Sequence, residues 1–408
     1  MNTALPTGVD VVVAAQTLGQ TVRRTPLDLS LRLSGIRRQS VLLKREDIQV
    51  GRSYKVRGAY NFISGLPANE REAGIVCASA GNHAQGVAFA CRQLKIHGKV
   101  FLPSTTPRQK RARIADIGGR WIEQIVGGAA FDEASSAAME YADAHGATYV
   151  HPFDDPRTIA GQGTVVKELF EQASEKPATV VVPVGGGGLA SGIALAVKLV
   201  NPQVKVIGVE PENAACMKAA LSCGRTITLP SADTVADGCA VRTAGKLTLE
   251  FCRRYLDEII TVSEMEIMSA LLSLIEKHKL IAEGAGVLSL AALQKLRMKD
   301  KKIAVLISGG NIDISTISAL ISKALISRGR VFRFSVQLPD KPGQLLTVAQ
   351  ILTEQDANVI RLDHDQTMVT DSFQKVQLTV TVEAHGQEHI DRIVAALASN
   401  GFEINKIY

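Results

Sequence analysis

One lysine and three short loops hold the residues whose types and spacing could do chemistry. Lys55 lies in Ser53-Tyr54-Lys55-Val56-Arg57-Gly58-Ala59, early in a helix-like stretch. On a surface a lysine is a solvated charge. Partly buried near a helix N-terminus, its pKa falls and the free amine becomes a nucleophile. The loop Ser79-Ala80-Gly81-Asn82-His83 follows a β-branched run and leads into a helix-like segment. Its small residues let backbone N–H groups approach a carboxylate at a helix N-terminus. An N-cap and a turn would read the same way. The loop Gly185-Gly186-Gly187-Gly188-Leu189 also follows a strand candidate and enters a helix-like segment, 190–200. Four glycines free the backbone to wrap an oxyanion, at an entropic cost that a plain turn has no reason to bear. The spacing is neither the dinucleotide fingerprint nor a P-loop, so a single phosphate held without a lysine fits best. In Ser308-Gly309-Gly310-Asn311 the hydroxyl has a place opposite a ring nitrogen, or else the segment is a plain turn.

The elements that must position these loops follow from periodicity. Strand candidates at 41–44, 75–78, 99–102, 121–125, 148–150, 180–184, 204–210, 259–262 and 303–307 alternate with amphipathic stretches such as 131–145 and 264–279. Alternation of this kind predicts parallel sheets with helices on both faces, and the near-continuous apolar strands agree. In such sheets ligands bind beyond the carboxyl ends of strands, where all three loops lie. Residues 37–157 and the remainder of this part form two candidate sub-domains. From Arg330 the texture changes. A strand at 331–338, a turn at 339–343, a helix at 345–355, strands at 358–365 and 376–383, a helix at 389–399 and a strand at 402–407 make the ferredoxin-like β-α-β-β-α-β order. The expected domains are 1–327 and 330–408.

Composition narrows the classes. The chain has 408 residues and a formal charge of +6, with the basic residues dispersed and not interleaved with aromatics, so nucleic acid is not an expected partner. No apolar run approaches the roughly 20 residues of a membrane helix. Six cysteines (Cys77, Cys91, Cys216, Cys223, Cys239 and Cys252) show no C-x-x-C pair or zinc spacing. The start of the chain has no signal-peptide pattern, and a reduced, cytoplasmic protein is expected.

Taken together the four segments resemble the serine/threonine dehydratase family. Ser53–Ala59 is similar to its pyridoxal-phosphate attachment motif, Ser79–His83 to its substrate-carboxylate loop, Gly185–Leu189 to its phosphate loop and Ser308–Asn311 to its pyridine-nitrogen loop. Asp340-Lys341-Pro342-Gly343-Gln344-Leu345 and Asn358 resemble an ACT regulatory domain. The resemblance, to threonine ammonia-lyases with one such domain, spans essentially the whole chain. It implies an α/β fold of type II, two open parallel-sheet sub-domains, followed by the ferredoxin-like module. It also implies pyridoxal 5'-phosphate held as an imine by Lys55. Tyr54 would line the cofactor, Asn82 would face the ring hydroxyl, Ser308 the ring nitrogen, and Gly185, Gly186, Gly187, Gly188 and Leu189 the phosphate. Backbone groups of Ser79, Ala80, Gly81, Asn82 and His83 would bind the carboxylate of an amino-acid substrate. The implied reaction takes L-threonine, and L-serine beside it, to a 2-oxo acid and ammonia. Serine racemases carry a serine at the position of Ala80, which protonates the face opposite the lysine; alanine favours dehydration. Other lyases of this fold, acting on serine or hydroxyaspartate, share the motifs. The cation site of some relatives would map to Glu210, the Ala214 carbonyl and Cys216, where a carboxylate is replaced by a thiol, so no divalent metal is expected, and a monovalent ion stays open. A homodimer or homotetramer and an amino-acid effector are the further implications.

Overall fold

The computed structural model describes residues 7–37, 40–296, 302–366 and 374–408. The chain divides into two compact units, Met1–Asp313 and Ile314–Tyr408.

Among the described residues of the first unit, ten strands form two sheets. The larger contains β1 (Leu27–Leu29), β2 (Val41–Arg45), β7 (Thr179–Pro183), β8 (Lys205–Pro211), β9 (Glu258–Val262) and β10 (Ile303–Ile307). Its order is β1-β2-β10-β7-β8-β9, parallel except for β1. The smaller contains β3 (Ile75–Ala78), β4 (Gly98–Leu102), β5 (Ile122–Val126) and β6 (Thr148–Tyr149), in the all-parallel order β5-β4-β3-β6. Runs such as Val180-Val181-Val182 and Ile303-Ala304-Val305-Leu306-Ile307 are buried throughout because helices cover both faces. One core, including Val182, Val206, Ile193 and Leu306, surrounds the large sheet; another, including Ile75, Val100, Val87 and Phe62, lies against the small one.

Several expectations need correction. Residues 37–157 do not form one sub-domain: β2 joins the large sheet by pairing with β10, about 260 residues downstream. Sequence periodicity carries no information on such distant partners. The short edge strand β1 is too brief for a period-2 signal. The helix expected over 264–279 stops being α-helical at Ser273 and continues as a π-turn, Leu274–His278, ending at Lys279 with φ +56°. The break between units precedes the helix Ile314–Ser327 rather than following it, so the 327/330 boundary moves to 313/314.

The second unit holds β11 (Val331–Pro339), β12 (Asn358–Asp365), β13 (Lys375–Glu383) and β14 (Ile404–Lys406), antiparallel in the order β12-β13-β11-β14. Pro339 ends β11 instead of opening the turn, and the last strand is shorter than 402–407. Helices Gln344–Glu354 and Gln387–Ser399 bury Val348, Leu352, Ile393 and Leu397 against Phe334, Leu378 and Val380. Among the described residues no helix is long and apolar enough to cross a membrane.

Candidate active site

Lys55 opens the helix Lys55–Ser64. Two sets of contacts place it. The preceding segment is stitched to the loop after β10: Ser53 bridges Gly309, Tyr54 N donates to Ser308 O at 3.2 Å, and Gly310 N donates to Arg52 O at 2.8 Å. On the other side, Arg57 is fully buried among carboxylates. Its guanidinium reaches both Glu46 oxygens at 2.8 Å and Glu168 Oε1 at 2.8 Å, while Lys44 Nζ meets Glu168 Oε2 at 2.6 Å. These pairs tie the lysine's helix to the end of β2 and to the helix Val165–Gln172. Lys55 is half-buried, and its Nζ donates to Pro152 O at 2.8 Å. Burial lowers its pKa to about 8, opposed by the acidic groups of Cys239 and Glu283.

Pro152 belongs to the turn after β6, which also serves the glycine loop. His151 Nδ1 accepts from Asp154 N at 2.8 Å, so this nitrogen is unprotonated. Asp154 accepts from Lys246 N at 3.0 Å and Thr248 N at 3.1 Å, capping the helix Lys246–Tyr255. Thr248 Oγ1 donates to Gly186 O at 2.6 Å. A Cβ on Gly186 would stand 2.5 Å from the Phe153 ring. Gly187 has φ +98° and caps the helix Gly188–Val200, and a Cβ there would stand 2.8 Å from Thr248 Cβ, so its backbone and its setting both favour glycine.

The third loop starts at the end of β3. Asn82 is the first residue of the helix Asn82–Leu94, and a Cβ added at Gly81 would meet nothing within 4 Å. Main-chain N–H groups here have no partner within the helix. The His83 ring is turned away: its Nε2 lies 2.8 Å from Val150 O, and burial pushes its pKa down to about 3. His83 therefore offers this loop its main chain. Asn82 links distant segments, donating through Nδ2 to Glu283 Oε1 at 2.7 Å and accepting through Oδ1 from Asn311 Nδ2 at 2.7 Å. Ser308 is buried, and its hydroxyl donates to Ala285 O at 3.3 Å. The loops thus converge. Lys55 and Ser308 are joined through Tyr54, Asn82 and Asn311 join the loop after β3 to the loop after β10, and Gly185 packs against Cys239, near Lys55.

Residues 18–309 match the family described as "Pyridoxal-phosphate dependent enzyme". The chain belongs to this family. L-Threonine ammonia-lyase of Thermotoga maritima is 42% identical over 398 residues, covering 97% of this chain and 98% of the relative. Among solved structures, the processed form of threonine deaminase isoform 2 from Solanum lycopersicum has a TM-score of 0.74 at 35% identity, covering 78% of this chain and 93% of that one. Maize serine racemase has a TM-score of 0.73 at 31% identity, covering 79% and 99%. The parallel sheets of the first unit are those of fold type II.

The residues present fit the family's cofactor. An amine of lowered pKa, a glycine turn opening a helix and a buried neutral hydroxyl suit its aldehyde, phosphate and ring nitrogen. Glu210 is fully buried, and its two oxygens accept from Met217 N and Lys218 N at 2.8 Å, capping the helix Cys216–Cys223. Among the described residues no group of three or more His, Cys, Asp or Glu side chains is arranged to hold a metal ion.

Sequence reasoning missed four contributors. The Pro152 carbonyl and Phe153 lie in His151-Pro152-Phe153-Asp154-Asp155-Pro156, a proline-flanked turn after a strand that was open to notice. Thr248 gave no signal. Glu283 gave one: a carboxylate amid Ala282, Gly284, Ala285 and Gly286.

Proposed function

We propose that this cleft converts L-threonine to 2-oxobutanoate and ammonia by α,β-elimination of water, with L-serine as a second substrate. In this reading the Lys55 amine takes the α-proton, its approach line set by the Pro152 carbonyl. Main-chain groups of Ser79 to His83 hold the substrate carboxylate. Gly185 to Leu189 hold the cofactor phosphate, Asn82 faces the ring hydroxyl, Ser308 the ring nitrogen, and Tyr54 lines the cofactor beside Lys55. Bound there, pyridoxal phosphate supplies the electron sink that makes the α-proton removable. The neutral Ser308 hydroxyl leaves the ring less electron-withdrawing than a carboxylate partner would, which suits elimination over amino-group transfer.

One observation carries the choice of lyase over racemase. Lys55 is a base on one face of the substrate, and Ala80, in the carboxylate loop, has no proton to give from the other. The full-length likeness to a threonine ammonia-lyase supports the substrate. The test is a 2-oxo acid assay on threonine, serine and hydroxyaspartate, with chiral analysis of the serine incubation. Threonine is expected to give the highest kcat/KM, and Lys55→Ala to abolish turnover. D-serine forming as fast as 2-oxo acid would reject the lyase reading.

The second unit reads as an ACT module that binds an amino-acid effector. Its strand order and the left-handed Gly343, φ +96°, at the head of the helix Gln344–Glu354 support this. A cytoplasmic homodimer or homotetramer completes the reading.

A further inference from the structure

Glu283 has no part in the assignments above. It lies between the π-turn and the short turn Ala285–Val287. Its Oε1 accepts from Asn82 Nδ2 at 2.7 Å, its Oε2 accepts from Asn311 N at 3.1 Å, and its own N–H donates to Gly309 O at 3.1 Å. A Cβ on Gly309 would collide with Oε1, so the loop is shaped around this carboxyl. Burial raises the Glu283 pKa to about 7, with the Asn82 and Asn311 hydrogen bonds opposing; Asp237 and Lys110 face it more distantly, and Lys55 and Cys239 lie on the cofactor side. Holding a carboxyl in such a place is costly.

The Asn82 amide is held at both ends. Turning it over would set its oxygen against the Glu283 carboxylate and its NH2 against that of Asn311. Asn311 is itself held, since Nδ2 donates to Gly51 O at 2.6 Å. One Nδ2 proton of Asn82 goes to Glu283, which leaves the second with a defined direction.

We propose that Glu283 is a positioning residue, locking the Asn82 amide so that its second Nδ2 proton is presented to the ring hydroxyl of bound pyridoxal phosphate. The proposal rests on the assignment of Asn82 to that hydroxyl. A donor at this place favours the ionised ring oxygen, and with it the cofactor form that absorbs in the visible rather than the near-ultraviolet.

The test is the ratio of these two bands in holoenzyme, followed with pH, together with cofactor retention on dialysis. Asn82→Ala is expected to move the ratio toward the near-ultraviolet, by about tenfold at fixed pH for the loss of one strong hydrogen bond. Glu283→Ala is expected to move it the same way by up to that amount. Glu283→Gln, which keeps the volume but one acceptor fewer, should move it less, and carries the test if the alanine variant does not fold. In the Asn82→Ala background Glu283→Ala should add nothing. Three results overturn the proposal while leaving the Asn82 assignment intact: no shift in either Glu283 variant, a shift additive with Asn82→Ala, or a shift toward the visible. The last would mean that the carboxylate acts on the ring by its charge alone. No shift in Asn82→Ala removes the assignment, and the proposal with it.

Discussion

A free lysine amine is protonated at neutral pH, whereas that of Lys55 sits where its charge is poorly solvated, with a pKa of about 8. Because the shift is downward, the neutral amine is gained as pH rises through about 8 rather than near the ordinary 10.5. Cofactor-free protein treated with an amine-selective reagent should therefore label Lys55 with a rate that rises with a midpoint near 8. A midpoint near that of the bulk lysines would mean that the amine is solvated. At this scale the sequence was informative where residue type is chemically singular. A lysine among small and apolar neighbours, a four-glycine run and a serine before two glycines each suggest a task, though the lysine also reads as a surface charge and the serine segment as a plain turn. It named neither the Pro152 carbonyl, a group every residue possesses and at which only the proline-flanked turn hints, nor Thr248, whose hydroxyl donates to Gly186 O.

Among elements, the helix Lys55–Ser64 is held by a buried set of charges that no local pattern announces. Arg57 bridges Glu46 and Glu168, the latter more than 100 residues away. Removing one member strands the others without compensation, so Arg57→Ala is expected to cost about 3–5 kcal/mol, measured by urea unfolding. Arg57→Met combined with Glu46→Leu should recover part of the loss, since a whole pair can be exchanged for apolar packing at little cost. Glu210 offers a second test. Its pKa is raised from 4.5 to about 7, chiefly by burial. A carboxyl that holds its proton more tightly when folded contributes stability below about 4.5 and loses it as pH rises through about 7. Glu210→Gln should flatten the stability profile across that window. The strands themselves were legible because buried parallel strands are short β-branched runs. The membership of β2 was not, because pairing partners are chosen across the chain by packing that a single sequence does not display.

For the whole molecule, the division at Asp313 is itself a prediction. A chain ending there retains both sheets and every proposed site residue, so 2-oxo acid formation should persist. Any response to the amino-acid effector proposed for the second unit, probed with isoleucine as the end-product type of ligand, should disappear with residues 314–408, and a response that survives would place the effector site elsewhere. The change of texture near Arg330 coincides with the start of the second unit's sheet, while the helix Ile314–Ser327 reads like the helices before it, so nothing in the sequence groups it with the residues that follow. The bridge between Ser53 and Gly309 has a consequence for biosynthesis. Lys55, the residue proposed for attachment, leaves the ribosome early, yet the segment that seats it is among the last of its unit to be made. During synthesis the lysine must wait for some 250 further residues, so a nascent chain halted before Gly309 emerges should be blind to cofactor. Vitamin capture then marks the end of this unit's assembly and cannot guide its beginning.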